Sequence, residues 1–171
     1  PLRHAQAILH IILGANMSSR LFNEVREKRG LAYEIGSGLK RYQDPGVFLV
    51  HAGIDNHKVS DCLGLIFQEL GKIKKSLVTK DEFKRAKEFY LGQLSLALED
   101  TMEYMLWMGE SVACLDKVYS LEQIIKEVNK VHPEDVREIA RQIFKNEIIN
   151  LALIGPLQKS EKQIYGKLNL G

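Results

Sequence analysis

The spacing of hydrophobic and polar residues changes its period twice along this chain. Residues 5–13 are apolar at most positions and the run stops at Gly14, which predicts a mostly buried helix closed by a glycine. A short charged helix follows and ends at Gly30. Alternating apolar residues then predict strands over residues 32–42 and 46–54, joined at an Asp-Pro-Gly turn as a β-hairpin.

From residue 59 to about 145 the apolar positions follow a helical period instead. One amphipathic stripe is formed by Val59, Cys62, Leu63, Ile66, Leu70 and Ile73. Capping boxes that begin at Thr79 and Ser120 predict the starts of two further helices, and Pro133 after His132 predicts a third. Another helix is carried by Met105, Met108, Val112 and Ala113.

The chain then returns to a strand pattern. Residues 147–155 predict a buried strand that is stopped by Gly155 and Pro156. Strands and helices are segregated along the sequence and do not alternate, so the predicted class is α+β, an antiparallel sheet with helices packed on one face. Residues 1–157 form the predicted domain, and residues 158–171 are a C-terminal tail.

Composition and charge exclude some partners. The 24 basic and 22 acidic residues are interleaved and leave a net charge of +2, so nucleic acid is not expected as a partner. No apolar run reaches the ~18 residues of a membrane span, and we expect no membrane association. Both cysteines, Cys62 and Cys114, lie in apolar helical patterns and are predicted to be buried in a protein of a reducing compartment, with the cytoplasm as the expected location.

The chain lacks a catalytic motif of its own. Its five histidines never form H-E-x-x-H or H-x-x-E-H, so no helix face offers two imidazoles to zinc. There is also no G-x-S-x-G, phosphate-binding loop or C-x-x-C. His132 is interpreted as a helix-entry residue, whereas His51 on a strand face is equally compatible with a structural and a functional role. Gly36, inside a strand, predicts a bulge or a close backbone approach.

An arginine and a tyrosine flank the break at Gly30. Arg26 lies at the border of the apolar face of the charged helix, and Tyr33 opens the following strand. From the residues alone, Arg26 is explained by a solvated helix with ion pairs such as Glu24 with Lys28. Tyr33 is explained by the preference of aromatic residues for strands.

The segment LGANMSSRLFNEVREKRGLAYEIGSGL, however, closely resembles the C-terminal half of the insulinase-type zinc peptidases, the family of pitrilysin and the mitochondrial processing peptidase. It is most similar to the bacterial processing-peptidase-like branch. The likeness continues through SLEQIIKEVNKVHPEDVREIARQIF and covers nearly all of residues 5–155. Ala15 and Asn16 stand where two glycines are common, and His132 stands where a threonine usually caps the helix.

This resemblance implies that two halves of a larger enzyme have different roles. In the family, an N-terminal half with H-x-x-E-H holds zinc and closes on peptide substrate against a C-terminal half that has lost the motif. The resemblance places the arginine and tyrosine of that second half at Arg26, which would hold substrate carbonyls, and at Tyr33, which would donate to the oxyanion. It also makes Gly14 and Asn16 a candidate substrate loop. Zinc is expected only in the other half, and this chain alone is expected to be inactive.

The expected partners are therefore a peptide and an N-terminal zinc-binding half, in the same polypeptide or in a partner subunit. The first residue is a proline, and we interpret the chain as a piece of a longer protein whose first strand of this half precedes residue 1. The alternative function is a structural or assembly subunit derived from a peptidase, as in the core proteins of the respiratory bc1 complex. The sequence does not specify the substrate, the cleavage preference, or whether the parent protein is a monomer or a homodimer.

Overall fold

The computed structural model describes residues 2–41, 46–156, 164, 166 and 168–170. The helices are α1 (Leu2–Gly14), a π-helix (Phe22–Glu27), α2 (Val59–Lys75), α3 (Lys80–Ala97), α4 (Thr101–Leu115), α5 (Leu121–Asn129) and α6 (Pro133–Ile143). The strands are β1 (Ala32–Arg41) and β2 (Gly46–Ile54), and single 3₁₀ turns occupy Asn56–Lys58 and Asn146–Ile148. The predicted α+β class is confirmed. Most of the predicted tail, residues 158–171, lies outside the described residues.

β1 and β2 form the predicted antiparallel hairpin. Its connecting residues 42–45, which contain most of the predicted turn, are outside the part that the structure describes. Side chains alternate along β2: one face is half-buried, whereas Val47, Leu49 and His51 on the other face are exposed. The half-buried set comprises Phe48, Val50, Ala52 and Ile54. The helices therefore cover one face of the hairpin, as the sequence predicts.

α1 lies at the centre of the helix layer. It packs on α3, α6 and β1, and the side chains of Ile8, Leu9 and Leu13 have no exposed surface. Burying an aliphatic side chain of this size contributes about 1.5–3 kcal/mol to folding. The apolar run of residues 5–13 thus forms the core that supports β1.

The helix starts follow the predicted local signals. Thr79 caps α3 by accepting a hydrogen bond from the backbone N–H of Glu82. Ser120 and Gln123 form a complete capping box at the start of α5. These bonds satisfy backbone donors that have no partner within the helix.

α4 differs from the expectation for an apolar helix. Met102, Met105 and Val112 are 65%, 60% and 50% exposed, and no described element packs extensively on this helix. Cys114 near its end is exposed, so the prediction that both cysteines are buried is wrong for this one. An apolar pattern shows which residues could be buried, but it does not supply the element that would cover them.

The two cysteines should therefore differ in reactivity. Cys62 is buried, and desolvation raises the pKa of its thiol to about 11. Because the thiolate is the species that is alkylated, we expect iodoacetamide at neutral pH to modify Cys114 within minutes and to spare Cys62. Peptide mass spectrometry of the native protein would show one adduct, and urea should expose the second site. Equal labelling without urea would contradict the burial of Cys62.

The predicted closing strand at residues 147–155 is also wrong for the described residues. Its first part is a 3₁₀ turn, and residues 149–155 have no strand partner. The segment is exposed, with Ile154 completely so. A strand needs a neighbouring backbone to complete its hydrogen bonds, and no other described residue offers one to this segment.

Among the described residues, no helix combines the length and the apolarity needed to cross a bilayer.

Candidate functional site

The junction between the charged helix and β1 is built by backbone hydrogen bonds. The helix is a π-helix rather than the expected α-helix, and the N–H of Lys28 donates to the carbonyl of Asn23 five residues earlier. Gly30 then adopts a left-handed conformation with φ of 57°, which favours glycine. The N–H of Leu31 returns to the carbonyl of Val25, and the chain leaves as β1. π-helical turns are frequent at functional sites.

A β-bulge determines where the side chain of Tyr33 lies. Ala32 pairs with Ile54 and Glu34 pairs with the adjacent Gly53, so Tyr33 is an extra residue on β1. Ala32 and Ile35 are buried, whereas Tyr33 and Glu34 between them are exposed. Without the bulge, alternation would place only one of these two on the open face. The bulge thus leaves the ring of Tyr33 87% exposed.

The structure brings the predicted pair together. The guanidinium carbon of Arg26 lies 5.9 Å from the centre of the Tyr33 ring and 4.8 Å from that of Phe22. Such contacts between a cation and aromatic faces contribute about 0.5–1 kcal/mol at exposed sites. Within the described part of the chain, the guanidinium of Arg26 has no hydrogen-bonded or ion-paired partner, and the Tyr33 hydroxyl has none either. We call Phe22, Arg26 and Tyr33 the aromatic–arginine cluster.

An ion pair anchors the helix that carries this cluster. Both guanidinium nitrogens Nε and Nη2 of Arg20 lie 2.7 Å from the carboxylate oxygens of Glu82 in α3. This bidentate hydrogen bond is the main cause that raises the pKa of Arg20, against the opposing effect of burial. At the exposed side of the helix, a hydrogen bond from Lys28 lowers the pKa of Glu24, the pair expected from the sequence.

A groove of about 510 Å³ adjoins the cluster. Tyr33, Gly53, Asp55 and Lys58 are among its lining residues, and the ammonium of Lys58 donates to the carbonyl of Gly30 at 3.0 Å. A larger groove of about 900 Å³ lies between α2 and the residues Gly166, Asn169 and Leu170, and it includes neither Arg26 nor Tyr33. Because the smaller of these two grooves contains Tyr33 and the larger does not, the smaller one is the candidate place for a peptide.

Gly14 and Asn16 form the candidate substrate loop. The packing around Gly14 and the hydrogen bond of Asn16 explain structurally why these residue types stand there. A Cβ on Gly14 would lie 2.5 Å from the backbone nitrogen of Ser37, so only glycine allows α1 to approach β1 this closely. The side-chain oxygen of Asn16 accepts a hydrogen bond from the N–H of Ser18. A role of either residue in substrate binding stays a prediction.

Three features of the site were not predicted from the sequence. The first is the contact between Phe22 and Arg26. The second is the π-helix itself, in which hydrogen bonds join residues five apart. The third is a contact across the hairpin. The carboxylate of Glu34 lies 3.8 Å from Nε2 of His51 across the hairpin. A Cβ on Gly36 would lie 3.0 Å from the His51 ring and 3.3 Å from the backbone oxygen of Gly14. Of the two predicted reasons for Gly36, a bulge or a close backbone approach, the close backbone approach is therefore confirmed.

No zinc site is formed by the described residues. They contain no group of three or more histidine, cysteine, aspartate or glutamate side chains that could hold a metal ion. The residues of the cluster also do not fit zinc, since a guanidinium and a phenol are poor ligands beside imidazole, thiolate and carboxylate.

Comparison with known proteins identifies the family. The model of the peptidase M16 inactive domain matches residues 1–90, just over half of the chain. The chain belongs to the peptidase M16 family. The part matched includes the aromatic–arginine cluster and the whole hairpin, and the described fold agrees with an M16 inactive domain. The resemblance stated from the sequence is confirmed.

Relatives of this M16 domain support the assignment. It is 38% identical to an uncharacterized zinc protease of Streptomyces coelicolor over 93% of this chain and 34% of that protein. An uncharacterized zinc protease of Bacillus subtilis is 37% identical over 87% of this chain and 36% of its own length. The chain therefore spans about a third of the curated relatives that it matches.

A solved structure has the same fold. The peptidase M16 inactive domain from Pseudomonas fluorescens superimposes with a TM-score of 0.74 at 23% identity, over 85% of this chain and 35% of that one.

Proposed function

We propose that this chain is the non-catalytic half of a zinc metalloendopeptidase and that Arg26 and Tyr33 bind the peptide that its partner half cleaves. The observation that carries the proposal is the exposed aromatic–arginine cluster in an M16 inactive domain. In the complete enzyme, zinc in the other half would polarise the scissile carbonyl and activate water.

Arg26 is suited to hold an extended peptide. A guanidinium is a cation with five N–H donors, which match backbone carbonyl oxygens. The rings of Phe22 and Tyr33 contact it and restrict where it can lie. Since no described residue pairs with it, its donors are available to a ligand. Arg26 would therefore orient the substrate at little entropic cost.

Tyr33 is suited to stabilise charge. Its O–H can donate a hydrogen bond to the oxyanion that develops when water adds to the scissile carbonyl. Its position on the bulge, beside the groove lined by Asp55 and Lys58, places the hydroxyl at an open surface rather than in the core. The phenol requires no change of protonation for this role.

The partner that completes the site would be the zinc-binding half, in the same polypeptide or in another subunit. The length of the relatives supports this part of the proposal, since the chain spans about a third of them. The cytoplasm remains the expected compartment.

The test compares the complete natural polypeptide with the 171-residue chain alone. We expect the complete protein to contain one zinc per zinc-binding half and to hydrolyse a quenched-fluorescent peptide library, with loss of activity on adding a chelator. The 171-residue chain should contain no stoichiometric zinc and should be inactive. Metal analysis and fluorescence would measure both.

If the complete protein binds no zinc and cleaves no peptide, the alternative of a peptidase-derived assembly subunit replaces the proposal. As a control, zinc is added back to the chelated protein. Recovery of activity would show that the chelator removed the metal and did not unfold the protein.

A further inference from the structure

The side chain of Glu82 does not form the contact that its place in the sequence predicts. Glu82 follows Thr79 by three residues, which is the spacing of a capping box at the start of α3. Thr79 accepts the first bond of the box, from the backbone N–H of Glu82. The return bond from the glutamate side chain is not formed among the described residues, whereas the box of Ser120 and Gln123 is complete. Glu82 is therefore used for another purpose.

The carboxylate of Glu82 binds Arg20, which lies 62 residues away in the sequence. Nε and Nη2 of the guanidinium each donate to one carboxylate oxygen at 2.7 Å. The two side chains are 21% and 20% exposed, so water has little access to the pair. Two parallel hydrogen bonds between planar groups fix their relative orientation as well as their distance. The contact thus gives α3 a fixed orientation relative to the charged helix.

A second carboxylate reinforces the position of Arg20. Glu69 of α2 is only 4% exposed, and the ammonium of Lys72 donates a hydrogen bond to it. The hydrogen bond to Glu82 raises the pKa of Arg20 most, burial opposes this effect, and the charge of Glu69 raises the pKa further. The guanidinium is therefore attracted by carboxylates of both α2 and α3.

The apolar contacts of the charged helix do not by themselves fix its orientation. Leu21 and Val25 have no exposed surface and hold the helix against the core. Apolar burial has no preferred direction, so it leaves a short helix able to turn or slide. Among the described residues, the bonds from Arg20 to Glu82 are the side-chain hydrogen bonds that join residues 20–27 to another helix. Any rotation of this helix would move the guanidinium of Arg26.

We propose that Arg20 and Glu82 are positioning residues for the aromatic–arginine cluster, because their ion pair sets the orientation of residues 20–27 and thereby the place at which Arg26 meets a peptide. The inference rests on the proposed function of Arg26 in peptide binding. Glu82 acts through Arg26 and does not itself touch the peptide. A displacement of about 1 Å in a group that orients a substrate can lower activity roughly 10²-fold, so a contact outside the site is sufficient to control it.

Glu82→Gln in the complete natural polypeptide tests the inference. Glutamine removes the charge but is equally suited to the third position of a capping box, so the start of α3 should be preserved. We expect KM for a cleaved peptide to rise about tenfold with a smaller change in kcat, since the main effect is a misplaced Arg26. The matched control is Gln123→Ala, which removes one bond of the complete box of α5 and should leave KM unchanged.

A double substitution separates positioning from a general loss of stability. Once Arg26 is replaced by alanine, Glu82→Gln should change KM by less than about twofold, because the effects of residues that act through one another do not add.

Arg20→Lys is a second probe of the ion pair. Its ammonium keeps the charge but cannot form the forked pair of hydrogen bonds. We therefore expect an unfolding midpoint close to that of the wild type together with a raised KM.

Hydrogen exchange in the complete protein provides a measurement that does not need activity. The N–H groups of Lys28 and Leu31 donate to the carbonyls of Asn23 and Val25, and these bonds form the junction between the charged helix and β1. In Glu82→Gln both amides should exchange at least about tenfold faster, because the junction would open more often. The amides of α5 serve as the control and should not change.

Four results would overturn the inference: an unchanged KM in Glu82→Gln, an equally large rise of KM when Arg26 is already alanine, a wild-type KM in Arg20→Lys, or unchanged exchange at Lys28 and Leu31. A complete wild-type protein that cleaves no peptide would instead refute the proposed function. Exchange at Lys28 and Leu31 would then decide alone whether the ion pair orients the helix.

Discussion

Tyr33→Phe in the complete enzyme is expected to lower kcat/KM by about 10²–10³-fold while zinc content and stability stay unchanged. The loss corresponds to about 2.7–4 kcal/mol, the typical effect of removing one donor to a developing oxyanion. The fold should not change, because Tyr33 is 87% exposed and phenylalanine keeps the ring that contacts Arg26. Most of the effect should lie in kcat, since the proposed hydrogen bond would form only in the transition state.

Control variants distinguish an effect of the aromatic–arginine cluster from the general effect of changing an exposed tyrosine or arginine. Tyr119→Phe removes another exposed phenol far along the sequence and should leave kcat/KM unchanged. Arg26→Ala should raise KM, and Arg26→Lys should restore it only in part, because an ammonium cannot form the same forked hydrogen bonds. Arg85→Ala, at an exposed position of α3, is the control for loss of charge. If Tyr33→Phe cleaves as fast as the wild type, the aromatic–arginine cluster is structural.

Gly14→Ala is expected to destabilise the domain by about 1–3 kcal/mol, the typical cost of forcing an extra methyl group into a packed contact. The new Cβ would lie 2.5 Å from the nitrogen and 2.8 Å from the hydroxyl oxygen of Ser37, and 2.9 Å from the carbonyl carbon of Gly36. Two of these atoms are backbone, so the contact can be relieved only by moving α1 away from β1. Urea unfolding followed by circular dichroism would measure the change.

Gly92→Ala is the matched control for this substitution. Gly92 lies within α3, and nothing is within 4 Å of where its Cβ would be. Alanine should therefore stabilise the helix by about 0.5–1 kcal/mol, the usual difference between the two residues. If Gly14→Ala left the unfolding midpoint unchanged but reduced peptide cleavage, Gly14 would belong to a substrate loop rather than to the packing of α1.

The local signals in the sequence predicted the elements of the fold well. Thr79, Ser120 and Pro133 mark the helix starts that the structure shows, because a cap involves residues only a few positions apart. The alternation in β2 predicted its buried face, and Gly30 predicted the helix end at which φ is 57°. For the site, the residue types of Arg26 and Tyr33 were identified through a family resemblance, and their spacing did not by itself show that they meet.

The features that the sequence did not predict depend on distant parts of the chain. The bulge beside Tyr33 is a property of the pairing between two strands, so β1 alone could not reveal it. The exposed Cys114 and the unpaired residues 149–155 share another cause: an apolar pattern states what a segment can bury, whereas burial itself needs a second surface. Sequence thus determined where the helices and the two strands of the hairpin begin, because those choices depend on neighbouring residues. Tertiary structure alone decided which apolar faces are covered and which side chains lie together, because these depend on contacts between distant residues.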